Sequence, residues 1–160
     1  MKSHSIIPIF LPELGCPKQC VFCNQQHISG RPSVPEAGDV QSIIEKHISS
    51  LTGRNIQTEI AFFGGSFTAL DAGLQEQYLK IAQPYLQKNI ISNIRISTRP
   101  DAITDEKLDL LKHYGVSIIE LGVQSLNDDV LRRSGRGYSA PVVYDAAEKI
   151  NAHGFTLGMQ

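Results

Sequence analysis

The chain has 160 residues, 41% hydrophobic and 19% charged, the composition of one globular domain and shorter than the roughly 250 residues of a closed (β/α)8 barrel. Fifteen basic side chains against 16 acidic ones leave a net charge of -1, which excludes a global electrostatic pull toward nucleic acid or membrane. No run approaches the roughly 20 apolar residues of a membrane span, and the start lacks the apolar core and cleavage site of a signal peptide, so the chain reads as cytoplasmic.

In chain order, Ile6, Ile7, Ile9, Phe10 and Leu11 predict a first buried strand, and a cysteine-bearing loop leaves its end. A turn-rich stretch at 30–35 precedes an amphipathic helix over about 36–51, marked by Val40, Ile43, Ile44, Ile48 and Leu51 and stopped by Gly53. A second strand over 58–63 runs into Gly64-Gly65-Ser66. Asp71 is a cap for a second helix with Leu74, Tyr78, Ile81 and Tyr85 inward, and Pro84 is expected to kink or end it, having no N–H to donate. A third strand over 93–98 stops at Arg99-Pro100-Asp101. Thr104, Asp105 and Glu106 open a third helix that closes at Gly115. A fourth strand over 116–123 is followed by a short helix after Asn127, then a helix carrying Val143, Ala146, Ala147 and Ile150, and a fifth strand over 155–160.

Strand and helix alternate throughout, which requires parallel strands joined by right-handed crossovers. In such α/β folds the chemistry sits on loops at the C-terminal strand ends. The cysteine loop, Gly64-Gly65-Ser66, Ser97-Thr98-Arg99-Pro100 and Gln124-Ser125 all fall there, which points to one composite site. Five strands do not close an eight-stranded barrel. Residues 1–160 therefore read as the front part of a parallel-stranded partial (β/α) barrel, truncated after its fifth strand, with later strands and any substrate domain absent.

All three cysteines of the chain fall in Cys16-x3-Cys20-x2-Cys23. A tight, odd-numbered cluster argues for metal chemistry rather than a disulfide framework. Thiolates select zinc, copper(I) or iron–sulfur clusters. Three cysteines can each hold one iron of a [4Fe-4S] cube and leave the fourth iron open. The alternative is a zinc-stapled α/β binding module, with His27 completing a site of Cys16, Cys20 and Cys23 and no radical chemistry.

The C-x3-C-x2-C spacing, with aromatic Phe22 just before the last cysteine, resembles the signature of the radical S-adenosylmethionine (radical SAM) superfamily. That resemblance implies an enzyme with two cofactors, a [4Fe-4S] cluster and S-adenosylmethionine (SAM). SAM chelates the open iron through its methionine amino and carboxylate groups and is reductively cleaved to a 5'-deoxyadenosyl radical that abstracts a hydrogen atom. It also implies an external low-potential electron donor of the flavodoxin or ferredoxin type. Gly64-Gly65-Ser66 stands where the family carries a glycine pair whose backbone binds the methionine amino group. Ser97-Thr98-Arg99-Pro100-Asp101 and Glu120 to Ser125, continuing to Arg136-Gly137, are similar to the radical SAM parts of the elongator catalytic subunit and of oxygen-independent coproporphyrinogen oxidase-like proteins. By position, Ser97 falls at the methionine or ribose contact, Gln124 at the ribose contact and Arg136 at the carboxylate contact. The coproporphyrinogen oxidases carry a glutamate at the position of Ser97, and the elongator subunit spaces its first two cysteines further apart. The substrate, a small molecule or tRNA, is not specified.

Among the remaining polar residues, Glu120 lies mid-strand in an apolar run, where an ionised carboxylate needs a partner, Arg95 or Arg99 on the neighbouring strand. His47 reads as structural, and Tyr78 and Tyr85 as core. Arg132 and Arg133 read as surface charges. Asn24, Gln25 and Gln26 face either the cluster sulfurs or solvent.

Overall fold

A computed structural model describes residues 3–12, 14–24, 34–53 and 56–160. His27, Gln25, Gln26 and residues 30–33 of the turn expected at 30–35 lie outside the described residues. Among the described residues, five strands form one sheet in the order β1-β2-β3-β4-β5, every neighbouring pair parallel: β1 (Ser3–Leu11), β2 (Ile56–Gly64), β3 (Asn93–Thr98), β4 (Val116–Leu121) and β5 (Thr156–Met159). The helices between them are α1 (Ala37–Leu51), α2 (Ala72–Gln87), α3 (Asp105–His113), α4 (Asp128–Arg133) and α5 (Ala140–Ala152).

Strand periodicity sorts the side chains into two faces. Ile7, Ile9, Leu11, Ile60, Phe62, Ile94, Ile96, Ile119 and Leu121 are buried together with Val40 and Ile44 of α1, Leu79 and Ala82 of α2, Leu108 and Leu111 of α3, and Val143, Ala146 and Ile150 of α5. Each of the Val, Leu, Ile and Phe side chains among them contributes about 1.5–3 kcal/mol on burial. Pro8 is tolerated because β1 lies at the edge of the sheet, where a missing N–H costs least.

The opposite face carries charge. Arg95 on β3 reaches Glu59 on β2 through NH2 at 2.6 Å and Glu120 on β4 through NH1 at 2.5 Å. Glu120 also accepts from Ser97 Oγ at 3.1 Å and from Gln160 Nε2 at 3.0 Å, and His4 Nε2 lies 3.4 Å from the second oxygen of Glu59. Of the two partners considered for Glu120, Arg95 is the one the fold supplies, because strand register sets Ser97 beside Glu120 and brings Arg95 to the same face. Glu59, only 1% exposed, is a buried carboxylate that its sequence context of Thr58 and Ile60 did not single out.

Local signals held at most helix ends. Asp71 accepts from Gly73 N, Thr104 from Lys107 N, and Asn127 from Asp129 N and Val130 N, each capping the helix that follows. Pro84 does not end α2, which continues to Gln87. Its ring is on the exposed side, and Tyr78, Leu79 and Ala82 anchor the other side in the core. β4 stops at Leu121, two residues before the expected end. There Val123 N donates to the Leu121 carbonyl and Ser125 N to the Val123 carbonyl, bonds to the second residue back that turn the chain out of the sheet.

Candidate active site at the C-terminal strand edge

Register brings the strand ends to one edge: Leu11 is beside Gly64, Thr98 beside Leu121, and Leu121 beside Met159. The cysteine loop leaves β1 there and is clamped at two places. At its root it interlocks with the loop after β2. Gly65 N donates to the Leu11 carbonyl and Ser66 N to the Leu14 carbonyl at 2.8 and 3.0 Å. A Cβ on Gly65 would stand 1.8 Å from the Leu14 carbonyl oxygen, and one on Gly15, at φ +74°, would stand 2.3 Å from the Ser66 carbonyl oxygen. Farther along, Val21 N donates to the Ser134 carbonyl at the end of α4, and Cys23 N to the Cys20 carbonyl.

The loop walls a cavity of about 380 Å³ at this edge, a volume in the range of ligand sites. Cys16, Cys20, Cys23, Phe22, Gly64, Gly65, Ser97, Gln124 and Arg136 all line it, and so do Lys18, Gln19, Thr98, Arg99, Gly122 and Gln160. Ser66 does not. It is fully buried, sharing a hydrogen bond with Thr98 Oγ1 at 2.9 Å and accepting from Arg99 N at 3.2 Å. Thr68 Oγ1 lies 2.6 Å from the same Thr98 hydroxyl, so Ser66 and Thr68 brace the end of β3 from behind the wall.

The three cysteines are free thiols, Cys20 buried and the other two half-buried. Burial pushes the Cys16 thiol up; the Arg99 charge pulls against that rise, while the neighbouring Cys23 and Cys20 sulfurs add to it. Among the described residues, no three His, Cys, Asp or Glu side chains are gathered as the ligands of an ion. Arg136 is buried at 6% exposure, and its Nε and NH2 donate to the Tyr138 hydroxyl at 2.9 and 2.7 Å. NH2 also donates to the Gly122 carbonyl, and NH1 points to Cys20 Sγ at 3.4 Å. Gln124 holds a left-handed backbone at φ +65°, its N–H bonded to the Gln160 carbonyl at 2.8 Å.

Arg99 lies in the Ser97-Thr98-Arg99-Pro100 stretch expected at the composite site, where sequence reasoning gives its side chain no role beyond partnering Glu120. It instead forks onto Asp101, with Nε and NH2 each 2.9 Å from a carboxylate oxygen. The available signal was the Arg-Pro-Asp order at the end of β3, where the 3-10 turn Pro100–Ala102 brings the aspartate back under the arginine.

The radical SAM superfamily profile matches residues 12–159. The chain belongs to the radical SAM superfamily. Its radical SAM relatives include the heme chaperone HemW of Lactococcus lactis subsp. lactis, 27% identical over 142 residues, 88% of this chain and 36% of that protein. Among solved radical SAM structures, archaeal Elp3 of Methanocaldococcus infernus superposes with a TM-score of 0.72 at 16% identity, covering 99% of this chain and 38% of that one. Coproporphyrinogen III oxidase (HemN) of Escherichia coli superposes at 0.68 and 22% identity, covering 99% of this chain and 36% of that one. The structural likenesses show the partial (β/α) barrel expected from the alternating elements. The chain spans little more than a third of the length of these relatives. Radical SAM proteins are enzymes whose cofactors are a [4Fe-4S] cluster and SAM, and they draw on an electron donor. No helix among the described residues is long and apolar enough to cross a membrane. The residues present fit the cofactor pair: three free thiols and two arginines share a wall with the glycine loop, soft ligands beside a backbone surface without side chains.

Proposed function

We propose that this chain is the cluster- and SAM-binding part of a radical SAM enzyme, residues 1–160 forming the front of a larger core. The observation that carries the reading is the shared cavity: Cys16, Cys20 and Cys23 face the same space as Gly64, Gly65, Ser97 and Gln124. When bound, the cofactor pair supplies reductive cleavage of the SAM sulfonium to a 5'-deoxyadenosyl radical, which takes a hydrogen atom from a substrate.

Cys16, Cys20 and Cys23 are the protein ligands of the cluster, and their number leaves one iron for SAM. The backbone of Gly64 and Gly65 forms the wall beside the methionine amino group. Ser97 would hydrogen-bond the methionine or ribose part and Gln124 the ribose, and Arg136 would place a cation opposite the carboxylate. Phe22, 53% exposed at the rim, offers an aromatic face to the adenine. Ser66 acts behind the wall, holding Thr98 and the Arg99 backbone in place. The wall orients SAM and shields the radical from water. The electron comes from a low-potential flavodoxin- or ferredoxin-type donor in a reducing cytoplasm.

Anaerobic reconstitution is expected to load about four irons per chain, and C16S, C20S and C23S each to lose the cluster. The reduced protein is expected to convert SAM to 5'-deoxyadenosine. Stoichiometric zinc that His27→Ala removes overturns the reading.

A further inference from the structure

Cys20 is buried at 6% exposure, and two guanidinium groups converge on its sulfur, Arg136 NH1 at 3.4 Å and Arg99 NH1 at 3.9 Å. Neither depends on the sulfur for its position. Arg99, 4% exposed, is held by the two-bond fork to Asp101 and by donation from NH2 to the Arg136 carbonyl. Tyr138 packs against both cations, its ring centroid 5.3 Å from the Arg99 guanidinium carbon and 5.1 Å from that of Arg136. Two preorganised positive charges thus stand against one thiol in a buried wall, where the local dielectric is low and charge acts strongly. One of them, Arg136, already has a proposed task at the SAM carboxylate. Arg99 has none, and its own counter-charge, Asp101, lies on the side away from Cys20.

We propose that Arg99 is a positioning residue that raises the reduction potential of the cluster through Cys20 Sγ, and that Asp101 opposes it. The inference rests on the reading of Cys20 as a cluster ligand. Reduction adds one electron to the cluster, taken from the external donor, and part of the added charge resides on the thiolate sulfurs. A fixed cation and N–H donor beside one sulfur favours the reduced form over the oxidised one. Asp101 withdraws part of that favour because its carboxylate neutralises the guanidinium from behind.

The test is the midpoint potential of the full chain, reconstituted anaerobically without SAM, titrated with dithionite and followed by electron paramagnetic resonance, with iron and sulfide counted in parallel. R99Q is expected to lower the reduced-to-oxidised ratio about tenfold at the wild-type midpoint, a fall of about 59 mV for a one-electron couple. D101N is expected to move the midpoint the other way. Loosened packing alone would shift both variants in one direction, so shifts of the same sign, or no shift in either, overturn the inference. If R99Q fails to hold its cluster, D101N decides alone: a midpoint above wild type supports the role, and one at or below it overturns it. A wild-type chain that assembles no cluster overturns the ligand reading itself, which the iron count separates from failure of the charge argument.

Discussion

Gln124 combines a cavity-lining side chain with a backbone that L residues adopt at a cost of about 1–2 kcal/mol. The left-handed turn swings its side chain into the cavity at the point where β4 gives way to Gly122 and Val123. Glycine removes the strain and alanine keeps it, so in urea unfolding Q124G is expected to be more stable than Q124A by about 1 kcal/mol. Both variants are expected to weaken SAM binding in calorimetric titration of the reconstituted protein. Equal stabilities would show that the φ of Gln124 stores nothing. The residue was legible in the sequence from the family pattern around Gly122-Val123-Gln124-Ser125, but its strained backbone was not. That conformation accompanies a bond from Gln124 N to the distant Gln160 carbonyl, a contact the flanking sequence does not reveal.

Among the elements, the loops after β1 and β2 act as one unit. Gly15 and Gly65 each occupy a place where a Cβ would collide with the other loop's backbone, so glycine at 65 is required by the neighbouring loop whatever ligand the cavity takes. G65A is expected to cost about 3 kcal/mol, at the upper end for overpacking, and to lower iron retention by displacing the root of the cysteine loop. Thermal unfolding of the apo chain and iron counts after reconstitution measure the two effects. Gly38 in α1 is the control, since a Cβ there meets nothing within 4 Å; G38A is expected to gain up to about 1 kcal/mol. A G65A chain as stable as wild type would show that the interlock yields. Helix caps at Asp71, Thr104 and Asn127 were readable because a cap is a contact between near neighbours. The reach of α2 past Pro84 was not, because burial of Tyr78, Leu79 and Ala82 offsets the lost backbone bond.

Across the whole sheet, Glu59, Arg95 and Glu120 join β2, β3 and β4 by a charge pair on each side of the arginine. Removing the cation strands a carboxylate that is 1% exposed, so R95L is expected to cost about 3–5 kcal/mol in denaturant unfolding. Combining it with E59Q is expected to recover part of the loss, because the stranded charge disappears with it. A strictly additive double mutant would mean that the pair is uncoupled.

Sequence by itself determined the class of this molecule. The alternation of β-rich and amphipathic stretches requires parallel strands, parallel strands put their loops on one edge, and the cysteine spacing marks which loop is proposed to carry the chemistry. Those are local signals, written in periodicity and short-range spacing. Only the tertiary structure decided which polar side chains face the cavity and which support it. Ser66 turns inward to Thr98, Arg99 leaves Glu120 to Arg95 and joins Arg136 at Cys20, and Glu59 is paired rather than exposed. Each of these is a contact between residues far apart in the chain. Strand register and loop interlock create them, and neither is encoded in the residues that flank a position.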